Sequence, residues 1–275
     1  MDSNSLPKGE GRMKARSAIA LISLLLSLVM VGCTSTTTVN GVARPSVESD
    51  KALQNRLQLA LGYMSQGDRE RARQHLEKAM EIDSRSPEVH DVWALLYQQE
   101  MELKEAEAHY KLALSYDPGF TRSRNNYGMF LLRQDRYEEA YQQFVTGSQD
   151  LAYPRRGEIF YKAGLTAIQL KKFSEAEQAL QKALVLEPQL SQPYLELADL
   201  AYTQGDYQRA KAMLDKYNES RRRPTPRGLW LGVRLENQLG NRDAEASQGL
   251  ALKNLFPDSR ENQEYQNWLK NERNR

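Results

Sequence analysis

The sequence is poor in several things at once, and each scarcity removes a class of protein. It has one cysteine, Cys33, so no disulfide can form within the chain and no thiolate cluster can hold zinc. Three histidines in 275 residues leave little material for a metal centre or an acid–base centre. Glycine and proline, at 16 and 10, are not enriched, and no long block of one charge interrupts the chain, so most of it is expected to fold. The longest apolar run, Ala18 to Val31, falls short of the roughly 20 residues that a membrane-spanning helix needs. Excess charge is missing too. Of 38 basic and 36 acidic residues, Lys8, Arg12, Lys14, Arg16, Asp2 and Glu10 lie in residues 1–32, and removing them leaves the two signs equal. A neutral body has no general attraction to phosphates, so nucleic acid is not an expected partner.

What is present begins with an export signal. Met13-Lys14-Ala15-Arg16 supplies a positive start to the apolar run. The run ends at Met30-Val31-Gly32-Cys33, which resembles the lipobox of bacterial lipoprotein signals, with Met30 where Leu is usual. Residues 1–32 are therefore expected to be a lipoprotein signal peptide and Cys33 the lipidated residue. Buried acyl chains contribute about 0.8 kcal/mol per methylene, so several chains make a stable anchor where one is marginal. Thr34 follows the cysteine where Asp would mark inner-membrane retention, which implies the periplasmic face of the outer membrane. Residues 33–50 are Ser/Thr-rich and aperiodic, with Pro45 opposing helix, and read as a flexible tether. Its reach is on the order of 20–25 Å.

Residues 51–275 are dominated by self-similarity. Ala79, Ala113, Gly147, Ala183, Tyr217 and Leu252 recur at spacings of 34, 34, 36, 34 and 35. A period of 34 is the tetratricopeptide length, and the internal pattern agrees. The second repeat shows Trp93-Ala94, Tyr97, Ala106, Tyr110 and Pro118, and the fourth Gly164, Ala176, Leu180 and Pro188. Small residues let two helices approach to about 8–10 Å, and proline at the repeat end cannot continue a helix. The expected fold is all-α: a right-handed tetratricopeptide solenoid of about six helix pairs, with repeats near 53–86, 87–120, 121–156, 157–190, 191–225 and 226–258. Residues 259–272 (with Tyr265 and Trp268) read as a capping helix.

No catalytic or metal motif stands out. There is no HExxH, CxxC, Walker A or GxSxG string. His75 and His109 share one phase of the second helix, and His90 falls at a packing position of the first, which is the periodic placement a structural role requires. No enzyme activity, cofactor or metal is expected. The Arg221–Arg227 run leaves two readings open, a solvated turn or a contact with an acidic partner or lipid headgroup. In this fold the first helices line a concave groove. The residues expected there are Leu57, Leu61, Met64, Leu95, Met129, Leu132, Tyr161, Leu165, Ile168, Leu195, Tyr202 and Trp230, beside Asp91 and Gln98. A largely apolar set suggests a hydrophobic or amphipathic protein segment as occupant. Asn126 alone resembles a carboxylate-clamp residue, so a clamp is not expected.

Longer strings add a family resemblance. Asn125-Asn126-Tyr127-Gly128-Met129-Phe130-Leu131, Ala152-Tyr153-Pro154-Arg155 and Phe256-Pro257-Asp258-Ser259 are similar to the PilF/PilW type IV pilus biogenesis and stability lipoproteins. Some members carry two cysteines where this chain has Leu132 and Thr166, so the bridge they imply is absent. The resemblance implies a pilotin, which binds the type IV pilus secretin and, through its lipid, directs it to the outer membrane for multimerisation. An adaptor for peptidoglycan enzymes, or a part of outer-membrane protein assembly, would share the anchor and the repeats.

Overall fold

A computed structural model describes residues 38–39, 42–43 and 47–273. Contacts divide the chain into residues 1–50 and residues 51–275. The expected signal peptide and Cys33 lie outside the described residues. Within the first unit, β1 (Thr38–Val39) and β2 (Val42–Ala43) pair antiparallel, Thr38 opposite Ala43 and Val39 opposite Val42. Three of these four are β-branched, which suits a strand. Helix α1 (Val47–Ser65) opens inside the segment read as tether. Glu48 and Asp50 in its first turn complement the positive end of the helix dipole and support the earlier start.

The second unit is a run of helix pairs. α1 pairs with α2 (Arg69–Ile82) through a shared core and the Tyr63–His75 stack, α3 (Pro87–Gln99) with α4 (Leu103–Tyr116), and α5 (Thr121–Leu132) with α6 (Tyr137–Gly147). Then α7 (Arg156–Gln169) pairs with α8 (Phe173–Leu186), α9 (Gln192–Thr203) with α10 (Tyr207–Glu219), and α11 (Pro226–Gln238) with α12 (Arg242–Leu255). α13 (Arg260–Arg273) closes the array against α11 and α12. Starts are fixed locally: Asp68, Ser86, Asp206, Thr225 and Asn241 each accept a hydrogen bond from a first-turn backbone N–H.

Every turn within a pair contains one left-handed residue: Gly67, Met101, Asp135, Lys171, Gly205 and Gly240. Their intervals are again 34, 34, 36, 34 and 35, the same as those of the series from Ala79 to Leu252. Core packing follows this register. A small first-helix residue (Ala60, Ala94, Gly128, Gly164, Ala198) faces a large second-helix one (Leu76, Tyr110, Phe144, Leu180, Leu214), all buried. The fit is close at two places. A Cβ on Gly128 would fall 2.6 Å from the Phe144 ring, and one on Gly164 2.8 Å from Leu180. In the sixth repeat Gly249 takes the large residue's place, and Tyr265 of α13 fills the room, its hydroxyl 2.1 Å from where a Cβ would stand. The cap is thus built into the repeat pattern.

Candidate partner-binding site

Polar contacts join the first helix of one repeat to that of the next at three steps: α3 to α5, α5 to α7, and α9 to α11. The Asp91 carboxylate, 1% exposed, accepts from Arg122 Nε at 3.0 Å and from Asn126 Nδ2 at 3.2 Å. Burial pushes the Asp91 carboxyl above the usual carboxylate range, while Arg122 and Asn126 pull it back. Lys162 Nζ donates to Asn125 Oδ1 at 2.7 Å, and burial lowers the lysine's pKa. Further along, Arg227 grips Glu196 with two nitrogens, at 2.5 and 2.7 Å, and reaches Asp199 at 3.3 Å. Its hydrogen bonds to Glu196 hold the guanidinium above its ordinary pKa. Arg234 also donates to Asp199 and lies over the rings of Tyr202 and Trp230, at 4.9 and 5.5 Å. A two-point Arg–carboxylate pair fixes geometry as well as charge, so Arg227 and Glu196 set the spacing between α9 and α11.

Apolar side chains sit beside these contacts. Leu61 is exposed, and Leu95, Met129, Leu132, Tyr161, Leu165, Ile168 and Tyr202 are half-buried. Leu165 and Ile168 form one wall of a cavity of about 340 Å³ with Phe173 and Leu200, and Glu196, Asp199 and Arg227 form another. Tyr161 is half-buried close to Glu196, and burial pushes its hydroxyl up to about 12.

Four residues expected in an open groove are core instead. Leu57 and Met64 are buried with Leu53, Leu76 and Trp93, because α3 of the next repeat packs over them. Leu195 is buried against Leu231 and Leu235 of α11. Trp230 is covered by the capping helix, its ring centroid 6.0 Å from Tyr265 and 6.3 Å from Trp268. The polar contacts between first helices were not anticipated. Their partners are about a repeat apart, and the signal that could have found them is charge recurring at that period on first helices. Asn126, the lone clamp-like residue, is committed to Asp91.

The histidines occupy structural surroundings. His75 stacks on Tyr63 at 5.4 Å, and His90 and His109 meet at 3.0 Å between Nδ1 atoms among Trp93, Tyr97 and Tyr116. Among the described residues no three His, Cys, Asp or Glu side chains converge as metal ligands would. A face of spaced apolar side chains in a rigid polar frame can hold an extended polypeptide.

Fold and face together define a tetratricopeptide protein, the class whose helix pairs present surfaces to other proteins. Tetratricopeptide-repeat models match residues 53–86 and 167–228. Over 247 residues the chain is 39% identical to the type IV pilus assembly protein PilF of Pseudomonas aeruginosa, covering 90% of this chain and 97% of that one. The solved structure of Pseudomonas aeruginosa PilF superposes with a TM-score of 0.71 at 41% identity, over 80% of this chain and 98% of the other. That of PilW, a widely conserved type IV pilus biogenesis factor, gives 0.67 at 28% identity, over 78% and 98%. The chain belongs to the PilF/PilW family of type IV pilus biogenesis proteins.

Proposed function

We propose that the protein is a non-enzymatic pilotin: a lipoprotein, anchored through Cys33 at the outer membrane, that binds a segment of the type IV pilus secretin and promotes secretin localisation and multimerisation. The observation that carries this reading is the open cavity on the first-helix face. Leu165, Ile168 and Phe173 stand exposed or half-exposed there, beside a carboxylate pair, Glu196 and Asp199, already neutralised by Arg227 and Arg234. Such a surface accepts apolar side chains without stranding a buried charge. Membrane attachment would raise the local concentration of a client in need of insertion. Membership of a pilus biogenesis family supports a client from the pilus machinery.

The test is secretin blotting of outer-membrane fractions from a strain carrying Leu61→Asp and Leu165→Asp. Loss of secretin multimers, with the helical circular dichroism of the purified variant retained, supports the reading. Normal multimers in that strain, or in a deletion strain, overturn it. Cys33→Ser is expected to release the protein from the membrane and to misplace the secretin.

A further inference from the structure

The opposite edge of each repeat, formed by the second helices, carries its own pattern. One residue of the first helix meets another in mid second helix, 19 positions later. In repeats one to three the pair is closed by polar contacts: Arg56 to His75 at 3.4 Å, His90 to His109 at 3.0 Å, and Arg124 to Gln143 at 3.0 Å. In repeats four and five the equivalent pairs are Phe160 with Ala179 and Tyr194 with Met213. Among the described residues no hydrogen bond joins either pair, and cavities of about 300 and 350 Å³ open there.

The two cavities are the same site one repeat apart. Phe160, Ala179 and Lys182 in the first correspond to Tyr194, Met213 and Lys216 in the second, each 34 residues on. In both, the lysine ammonium lies over the aromatic face, at 5.5 Å from Phe160 and 5.9 Å from Tyr194. The first cavity has a further cation, Arg156, 5.3 Å from the Phe160 centroid. Arg156 donates to the Ser148 carbonyl, and among the described residues neither it nor Lys182 nor Lys216 is ion-paired. Glu175 is the one carboxylate lining the first cavity; in the second, Arg209 takes its place, paired with Glu177. Two repeated pockets, each with an aromatic floor and an uncompensated cation, have the complement of an apolar side chain followed by a carboxylate.

From this repetition we infer a second protein-binding surface, on the second-helix side of repeats four and five, that takes an extended acidic segment of a partner. The segment would set an apolar or aromatic side chain against Phe160 and another against Tyr194, with carboxylates toward Arg156, Lys182 and Lys216. This surface is separate from the first-helix face and does not depend on the pilotin reading.

A random dodecapeptide phage library panned on the full chain tests it, with the selected peptides then measured by fluorescence polarisation. The expected winners place Asp or Glu beside aliphatic or aromatic residues. They should lose about tenfold in affinity against Lys182→Glu/Lys216→Glu, with binding to Leu61→Asp/Leu165→Asp unchanged. Both lysines are exposed, so the charge reversal should leave the thermal melt in place, and the melt is recorded alongside. Recovery of no binding peptide, winners without acidic enrichment, or winners sensitive only to the first-helix variant would each overturn the inference.

Discussion

Repeats one to three and repeats four and five share one register, yet they treat their second-helix edge in opposite ways. The early repeats close it with histidine, arginine and glutamine contacts, and around His109 they add the rings of Trp93 and Tyr97. The later two leave it open over an aromatic floor. The core pairs underneath are unaffected, since small residues face large buried ones in both halves. In a solenoid each repeat contacts only its neighbours, so an edge position can change in one repeat without disturbing packing elsewhere. Stability resides in the small–large pairs, and the edges are free to differ.

The sharpest way to break that division is to attack a core pair. Phe144→Ala is expected to cost about 3–5 kcal/mol in a denaturant titration, because a fully buried ring is lost beside a glycine that cannot fill the space. Gly128→Ala should cost about 1–3 kcal/mol by overpacking against the same ring. Combining Gly128→Ala with Phe144→Leu recreates the alanine–leucine pair that repeat five already uses at Ala198 and Leu214, and should recover part of the loss. A double variant no better than Gly128→Ala alone would show that close packing is not what selects glycine here.

A smaller effect separates the halves by pH. His90 Nε2 lies 3.0 Å from the Ser84 carbonyl and must donate to it, so in the neutral pair His90 Nδ1 accepts from His109 Nδ1. Burial lowers both pKa values, that of His109 to about 4, helped by the neighbouring His90. The unfolded chain therefore binds more protons than the folded one between about pH 6.5 and 4. The contribution is fully present above that window and is lost as pH falls through it, on the order of 2 kcal/mol after allowing for partial exposure. Glu107, held near 2 chiefly by its hydrogen bond to Arg136, keeps its contribution above pH 4.5 and loses it as pH falls from there towards 2. Melting at pH 7.5 and pH 5 reads the histidine effect. His109→Gln, which installs the residue of the next repeat, should shrink the difference between the two temperatures; an unchanged difference would place the titration elsewhere.

Much of this was legible in the sequence, and the residues show where legibility stopped. The repeat register was readable because small residues at helix contacts leave little freedom, and the left-handed turn residues fall on the same intervals. Gly67, Gly205 and Gly240 announce their turns, and Asp135 tolerates the left-handed region, but Met101 and Lys171 adopt the same backbone without a side chain that favours it. Helical period tells which side of a helix a residue occupies. It does not tell whether the next helix covers that side, which is why Leu57, Met64, Leu195 and Trp230 read as open and are buried. Asp91 with Arg122, and Glu196 with Arg227, are linked only once the first helices stack. The pockets were hidden for a further reason: Ala179 becomes informative only against His75, His109 and Gln143 at the same position.

Ala179 also gives the gentlest test of the comparison. Leucine there would point into the cavity of about 300 Å³ between α6, α7 and α8, and would close repeat four by apolar contact where the early repeats use polar ones. Cavity filling of this kind typically gains about 0.5–2 kcal/mol, and the lower end is expected because the cavity is open to water and Ala179 is only half-buried. A rise of a degree or two in melting temperature, together with weaker binding of an acidic peptide, would show that the repeat gives up stability to keep its edge open. A fall in melting temperature would mean that Phe160 and Lys182 already occupy the space the leucine needs, and that the opening belongs to how repeat four packs.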